Sequence, residues 1–293
     1  EHPALFAALK RVAVRWPEIG EKRTWTQLAA ELRDVDQALV VVNLKRHALA
    51  LLNEMDGTES VFHLSTNLCA EHRRVVMDKV RDQLAAGLPC RLVSTQCVEA
   101  GVDVDFPTVF RAMAPLDSIA QAAGRCNREG RLNEQGRLGE VVVFEPDEEA
   151  GWRKRFPTHN YYQATQVTQA LLKLHDNNLD INDPEVFRAY YHRLYNLNGP
   201  ASQNADLTRA IQELDFVEIA KVYRLIVQDA IQVLVPWVSR HDEFLELRRE
   251  ADRQGISANW MRRAQGLAVS VYRTNDGPPA WAIPAKLRRG GVS

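Results

Sequence analysis

The chain has 293 residues, enough for one large domain or two modest ones, and its 45% hydrophobic content supports a real core. A formal net charge of −1 excludes a uniformly basic nucleic-acid binder, so any such site must be a local arrangement. Four cysteines (Cys69, Cys90, Cys97 and Cys126) include no C-x-x-C pair, which argues against a zinc site, and no apolar stretch is long enough to span a membrane. No signal peptide is visible, so the thiols are expected reduced in a cytoplasmic protein. The opening Glu1-His2-Pro3 lacks a methionine, which suggests a segment of a longer protein, although processing gives the same start.

Residues 1–37 form a lead-in, with Trp16, Trp25 and a helical pattern from Thr26 to Leu32, expected to pack beside a sheet. The run Ala38 to Val42 is continuously apolar, as in a strand covered on both faces. Asn43 ends it, and a helix follows with Ala48, Leu49, Leu51 and Leu52 as its stripe. Further strands are expected at Ser60–Leu64, Cys90–Val93, Thr108–Ala112 and Glu140–Phe144, with a helix from Glu71 to Ala86. Asp117 or Ser118 is the expected cap of the helix that follows the fourth strand. Alternating strands and helices imply an α/β lobe with a mainly parallel sheet over residues 38–145. Residues 146–293 read as a mostly helical accessory domain. Its helices are expected at Tyr161–Leu174, Pro184–Leu197 and Phe216–Val227, with a break at Asn196–Gln203 and short strands at Ile231–Val235 and Ala268–Tyr272. Its tail is basic: Arg248, Arg249, Arg253, Arg262, Arg263, Lys286, Arg288 and Arg289 form either a solvated face or a nucleic-acid surface.

Polar groups concentrate in two places. The third strand opens into Ser94-Thr95 and then Glu99-Ala100-Gly101-Val102-Asp103. Ligands bind outside the carboxyl ends of strands in open α/β sheets. Gly101 supplies backbone freedom there, and Asp103 an acceptor suited to a ribose hydroxyl. The second place is Gln121-Ala122-Ala123-Gly124-Arg125-Cys126-Asn127-Arg128. Arg125 and Arg128 lie three apart on one face of a helix end, and the small residues before them allow close approach of a phosphate. Paired guanidiniums suit a polyphosphate because each is a planar fork of donors that keeps its charge. The alternative for both is a salt bridge at the helix end with Glu99 or Glu129.

Thr95 to Asp103 resembles motif V of superfamily-two helicases (T-x5-G-x-D), and Gln121 to Arg128 resembles motif VI (Q-x-x-G-R-x-x-R). The phrases VEAGVDVDFP and APLDSIAQAAGRCNREG are similar to one branch, the CRISPR-associated helicase–nuclease of type I systems, recruited by Cascade to degrade invading DNA. The resemblance covers residues 38–145 well and 215–272 more loosely. It implies the second RecA-like lobe and C-terminal domain of an ATP-driven motor on single-stranded DNA. Arg125 and Arg128 would then serve as arginine fingers, with Gln121 placing water or a phosphate oxygen. Gly101, Asp103 and Gly124 would complete the lobe's share of the ATP site. Thr95, Ser65, Thr66 and Arg73 would hold the DNA backbone, as would Asn43, which resembles motif IV. Residue by residue, Asn43 can also be a helix cap, and Thr66 or Asn67 can cap the next helix while His72 and Arg73 face solvent.

No G-x-x-x-x-G-K-[ST] loop occurs, so the first lobe, most of the Mg2+ site and the HD nuclease are expected from elsewhere in a parent protein. This chain alone is expected to be neither ATPase nor nuclease. Asp147-Glu148-Glu149 imitates an acidic box but reads as a charged turn, and His175-Asp176 and His241-Asp242 imitate a metal dipeptide without further ligands. Another helicase of the same superfamily, or a non-catalytic DNA clamp or scaffold lobe, are the alternative readings.

Overall fold

The computed structural model describes residues 10–99, 101–197, 205–222 and 230–272. It divides into two compact units. The first takes the described residues of 1–65 and 76–199, the second those of 66–75 and 200–293.

The first unit is built on six strands: β1 (Val12–Arg15), β2 (Gln37–Val41), β3 (Val61–Leu64), β4 (Cys90–Ser94), β5 (Thr108–Ala112) and β6 (Gly139–Phe144). Their order is β1-β6-β5-β2-β4-β3, and every pair is parallel. The three middle strands β5, β2 and β4 are buried almost throughout, which is why they read as unbroken apolar runs. Parallel neighbours need crossovers. α1 (Trp25–Arg33), α2 (Lys45–Glu54), α3 (Ala70–Ala85, in this unit from Val76) and α4 (Leu116–Ala123) lie between successive strands, the short turn Gln96–Val98 lies between β4 and β5, and α5 (His159–Leu174) and α6 (Pro184–Leu197) follow β6. Thr24 starts α1 through a reciprocal capping box with Gln27. Leu28 and Leu32 of α1 join Ala48 and Leu51 of α2 over Val40, Phe110 and Val142 of the sheet, forming one dry layer.

Three features depart from the sequence expectation. Val12–Arg15, expected within a lead-in, is the edge strand of the sheet, with Val12 registered on Gly139 of β6. Four residues flanked by arginines show no period by themselves, and the pairing partner selects them. Second, α4 follows Pro115 with no side-chain cap. Asp117 instead accepts from Tyr190 Oη of α6 at 3.1 Å. Third, α4 ends at Ala123, so Arg125 and Arg128 stand on the loop after the helix rather than on a helix face. A parallel bridge between Phe106 and Cys126 pulls the chain away from helical geometry there.

In the second unit, β7 (Ala230–Leu234) and β8 (Ala268–Tyr272) form an antiparallel ribbon, with Leu234 opposite Ala268. Its helices are α7 (Ala205–Gln212), α8 (Phe216–Val222), α9 (His241–Gln254) and α10 (Ala258–Ala264). Leu247, Ala251, Trp260, Ala264 and Leu267 make its small core. Ser257 caps α10, and Trp260 Nε1 donates to the Leu247 carbonyl at 2.7 Å. Arg248, Arg249, Arg253 and Arg262 are exposed, while Arg263 pairs with Glu250 at 2.6 Å. Lys286, Arg288 and Arg289 lie outside the described residues, as do residues 198–203 of the expected break and 223–227 of the expected helix. His241-Asp242 opens α9, and His175 closes α5. Among the described residues, no group of three or more His, Cys, Asp or Glu could hold a metal ion.

Gly139 is where the edge pairing meets the loop after α4. A Cβ there would lie 2.5 Å from Cys126 Sγ and 2.8 Å from Asn127 Cβ. Gly139→Ala is expected to destabilise the first unit by about 1–3 kcal/mol, as overpacking of a close contact does. Urea unfolding followed by circular dichroism checks this, and an unchanged midpoint refutes the close packing.

Candidate functional site

The sheet register sets three polar residues in a row. Leu64 pairs with Ser94, and Ser94 with Val41, so Ser65, Thr95 and Asn43 follow the carboxyl ends of the adjacent strands β3, β4 and β2. All three are buried. Ser65 Oγ lies 2.9 Å from His63 Nε2, and Thr95 Oγ1 donates to Cys97 Sγ at 3.6 Å. Thr66 is exposed, and Arg73 directs one guanidinium nitrogen to the Leu68 carbonyl at 2.8 Å. The row is therefore a wall behind the surface.

Asn43 does not cap α2. Leu44 takes that place, without a side-chain bond. The Asn43 amide is held inside the unit: Nδ2 donates to the Met113 carbonyl at 2.9 Å, and Oδ1 accepts from Arg111 at 2.9 Å and from Tyr161 Oη at 3.2 Å. Arg111 stands at the middle of this network on β5, with 0% exposure. Its Nη1 also reaches the Ala112 carbonyl at 3.0 Å, while Nη2 donates to Glu99 Oε1 at 2.9 Å and to Tyr161 Oη at 2.6 Å. Burial pushes the Glu99 carboxyl up from its usual range, and the Arg111 charge offsets only part of that. The turn Gln96–Val98 between Thr95 and Glu99 is tied in too, because Gln96 Nε2 donates to the Asn43 carbonyl at 3.0 Å. One buried cation thus fixes the end of β2, the turn after β4 and the start of α5.

The loop after α4 is fastened separately. Asp105 accepts from the backbone N–H of Arg128 at 2.7 Å and of Glu129 at 3.3 Å. Phe106 and its neighbours exchange two backbone bonds of 2.9 Å, from Phe106 N–H to the Arg125 carbonyl and from Asn127 N–H to the Phe106 carbonyl. Asn127 has a left-handed backbone (φ 45°) and bonds to Asn133 at 2.6 Å and to the Arg11 carbonyl at 2.9 Å. The Arg11 guanidinium donates to the Arg128 carbonyl.

On this rigid loop the two arginines differ. Arg125 is spent on main chain, donating to the carbonyls of Val98 at 3.1 Å and Glu99 at 2.8 Å. Burial, and then the charge of Arg128, pull its pKa down. Arg128 makes one side-chain hydrogen bond, 2.6 Å to Asp103, with Glu129 at 4.0 Å. Its side chain is 39% exposed and that of Asp103 77%, so the pair is a surface ion pair worth about 0–1 kcal/mol. Neither arginine bonds the Glu99 carboxylate, which belongs to Arg111. Asp103, expected as a ribose acceptor, is engaged by Arg128. Gly101 has φ 71° with open space where a Cβ would lie, and Gln121 is exposed on the last turn of α4. Gly124 and Arg128 line a cleft of about 230 Å³ with Arg11, Ala120 and Asn182.

Four residues central to this arrangement escaped the sequence reading: Arg11, Asp105, Arg111 and Tyr161. Arg111 carried a signal, since an arginine inside an apolar strand demands a buried partner. The other three act through partners far away along the chain.

A fully parallel six-stranded sheet with helices between its strands is the fold of a RecA-like lobe. Residues 34–131 match the family model described as CRISPR-associated nuclease/helicase Cas3, C-terminal. The chain is 43% identical over 97 residues to the CRISPR-associated nuclease/helicase Cas3 of Haloferax volcanii, covering 32% of this chain and 10% of that protein. It is 27% identical over 147 residues to the Cas3 of Methanothermobacter thermautotrophicus, covering 49% of this chain and 17% of that protein. The fold is similar to the crystal structure of T. fusca Cas3, with a TM-score of 0.56 and 19% identity over 93% of this chain and 37% of that one. It is also similar to a chain in a CRISPR RNA-guided surveillance complex, pre-nicking, with a TM-score of 0.56, 20% identity and 93% and 39% coverage. The alignments thus span only a small part of the curated relatives' length.

Arg111→Met leaves Glu99 as an unpaired buried carboxyl, and a loss of about 3–5 kcal/mol is expected. Arg111→Met combined with Glu99→Met is expected to recover much of it. Denaturant titration of the wild type, of Arg111→Met and Glu99→Met alone and of the double variant checks this. Simple additivity of the two single losses would show that the pair does not act as a unit.

Proposed function

We propose that this chain is the second lobe and C-terminal domain of an ATP-driven translocase on single-stranded DNA. In that reading the lobe works against a first RecA-like lobe, and an HD nuclease in the same protein cuts the DNA that Cascade has marked. The observation that carries it is the contrast between Arg125 and Arg128 on one fastened loop. A finger must be charged, preorganised at its backbone and free at its tip. Arg128 fits these conditions better: Asp105 holds its N–H, and its guanidinium meets the exposed carboxylates of Asp103 and, at 4.0 Å, Glu129.

A γ-phosphate presented by the first lobe competes with Asp103 for Arg128. Since the surface pair is weak, the exchange costs little, and the guanidinium then neutralises charge spreading over the phosphoryl oxygens. Arg125 fits a different task. Its donors hold the backbone of Val98 and Glu99, so it links the nucleotide loop to the turn after β4. Gln121, exposed beside this loop, can orient water or a phosphate oxygen, and Gly101, Gly124 and Asp103 border the same nucleotide. The cleft beside Gly124, with Arg11 and Arg128 in its lining, suits an anion. Mg2+ fits the described residues poorly and would be held mainly by the first lobe. DNA contact in the first unit falls to backbone groups at the strand ends, because Asn43, Ser65 and Thr95 are buried; in the second unit it falls to Thr66 and Arg73. Backbone contacts carry no sequence information, which suits a motor that must move along any strand. The chain by itself, without the first lobe's phosphate loop, is inactive in this reading, and a cytoplasmic location fits its work.

In the complete protein, Arg128→Ala is expected to lower DNA-stimulated ATP turnover by roughly 10³-fold or more with ATP binding largely kept. Arg125→Ala is expected to lower both turnover and thermal stability. Steady-state ATPase assays and melting curves separate the two. Wild-type turnover in Arg128→Ala would reject the finger and leave a non-catalytic clamp as the better reading.

A further inference from the structure

We propose that the groove formed by Leu44, Arg46, Trp152, Arg153, Phe156 and Pro157 seats one nucleotide of a single strand, its phosphate between the two arginines and its base against Trp152. This rests on the reading of the chain as a lobe that handles single-stranded DNA, and it adds a contact that lies outside the helicase motifs.

The groove holds about 340 Å³ and combines aromatic with basic side chains. That combination suits a stacked base and its phosphate, whatever the sequence. It begins one residue after Asn43, at the carboxyl end of β2. The ring of Phe156 lies 6.3 Å from that of Tyr161, which bonds to Asn43. The groove is therefore anchored on the same buried network as the turn after β4.

Charge distribution identifies the occupant as an anion. The segment before the groove is acidic, yet each carboxylate already has a partner. Glu145 pairs with Arg155 at 2.8 Å, Asp147 with Lys22 at 3.5 Å and Glu149 with Lys154 at 3.2 Å, while Glu148 accepts from Trp25 Nε1 at 2.8 Å. Arg46 and Arg153 are both exposed, and neither has a carboxylate within ion-pair distance among the described residues. Arg46 is aimed by a bond to the Lys154 carbonyl that leaves its other nitrogens available. The Arg153 guanidinium rests 4.9 Å from the centroid of the Trp152 ring. An exposed cation–π contact is weaker than stacking of a base on tryptophan, so an arriving base can take the ring face while Arg153 turns to the adjoining phosphate.

The test measures binding of the complete protein to a dye-labelled oligothymidine and to an abasic strand of equal length, by fluorescence anisotropy over a salt series. Trp152→Ala is expected to weaken oligothymidine binding about tenfold and abasic binding by less than about twofold, as loss of one stacked base would. Arg46→Glu with Arg153→Glu is expected to weaken both strands and to flatten the salt dependence, because phosphate contacts release counterions. Melting curves establish that each variant is folded. Wild-type affinity in both variants overturns the nucleotide seat while leaving the motor reading in place. Equal loss on the two strands in Trp152→Ala overturns the stacking assignment. Failure of the wild-type protein to bind either strand rejects the motor reading, and the seat with it.

Discussion

The lobe depends on a charge where a parallel sheet has least room for one. Arg111 sits on a central strand, fully buried, and its guanidinium reaches β2, the turn after β4 and the first turn of α5 together. Taking an arginine and a glutamate out of water is costly, and apolar residues of like volume would often be as stable. Such a pair brings direction rather than strength. A leucine at this position could pack in several ways, whereas a planar fork with five donors accepts one arrangement of Asn43, Glu99 and Tyr161.

That arrangement matters because it fixes the backbone on which the candidate finger loop leans. Glu99 gives its carboxylate to Arg111 and its carbonyl to Arg125. The buried network and the loop after α4 therefore share one residue. A displacement of Arg125 is felt at the turn after β4 without any long path. The same sharing explains the different fates of the two arginines. Arg125 is consumed in the link, while Arg128, three residues on, is held by its backbone and by the exposed carboxylates of Asp103 and Glu129.

The loop itself is made rigid from outside. Its residues have no regular structure, and Asn127 takes a left-handed backbone. Asp105, Phe106, Asn133 and Arg11 provide the bonds that a helix would have provided. β1 contributes by position. Its pairing places Gly139 under Cys126, at a distance that no side chain could tolerate. Thus an edge strand with no apparent role helps set the geometry of the arginines.

The sequence by itself determined the class of fold and showed where polar groups gather along the chain. Apolar runs at Ala38–Val42, Cys90–Val93 and Thr108–Ala112 are legible because burial on both faces leaves no other composition possible. The two helicase-like strings are legible because their residue types and spacing are dense and local. Only the tertiary structure decided which members of those strings turn inward and which stay exposed. It showed Asn43 turned inward, Arg125 spent on carbonyls and Arg128 available, and it placed β1 in the sheet. It also assigned roles to Arg11, Asp105, Arg111 and Tyr161, whose partners lie 12 to 118 residues away. The reason is physical. Period and composition report what a segment must bury, whereas the availability of a charged side chain depends on which carbonyls and carboxylates the fold brings within about 3 Å of it.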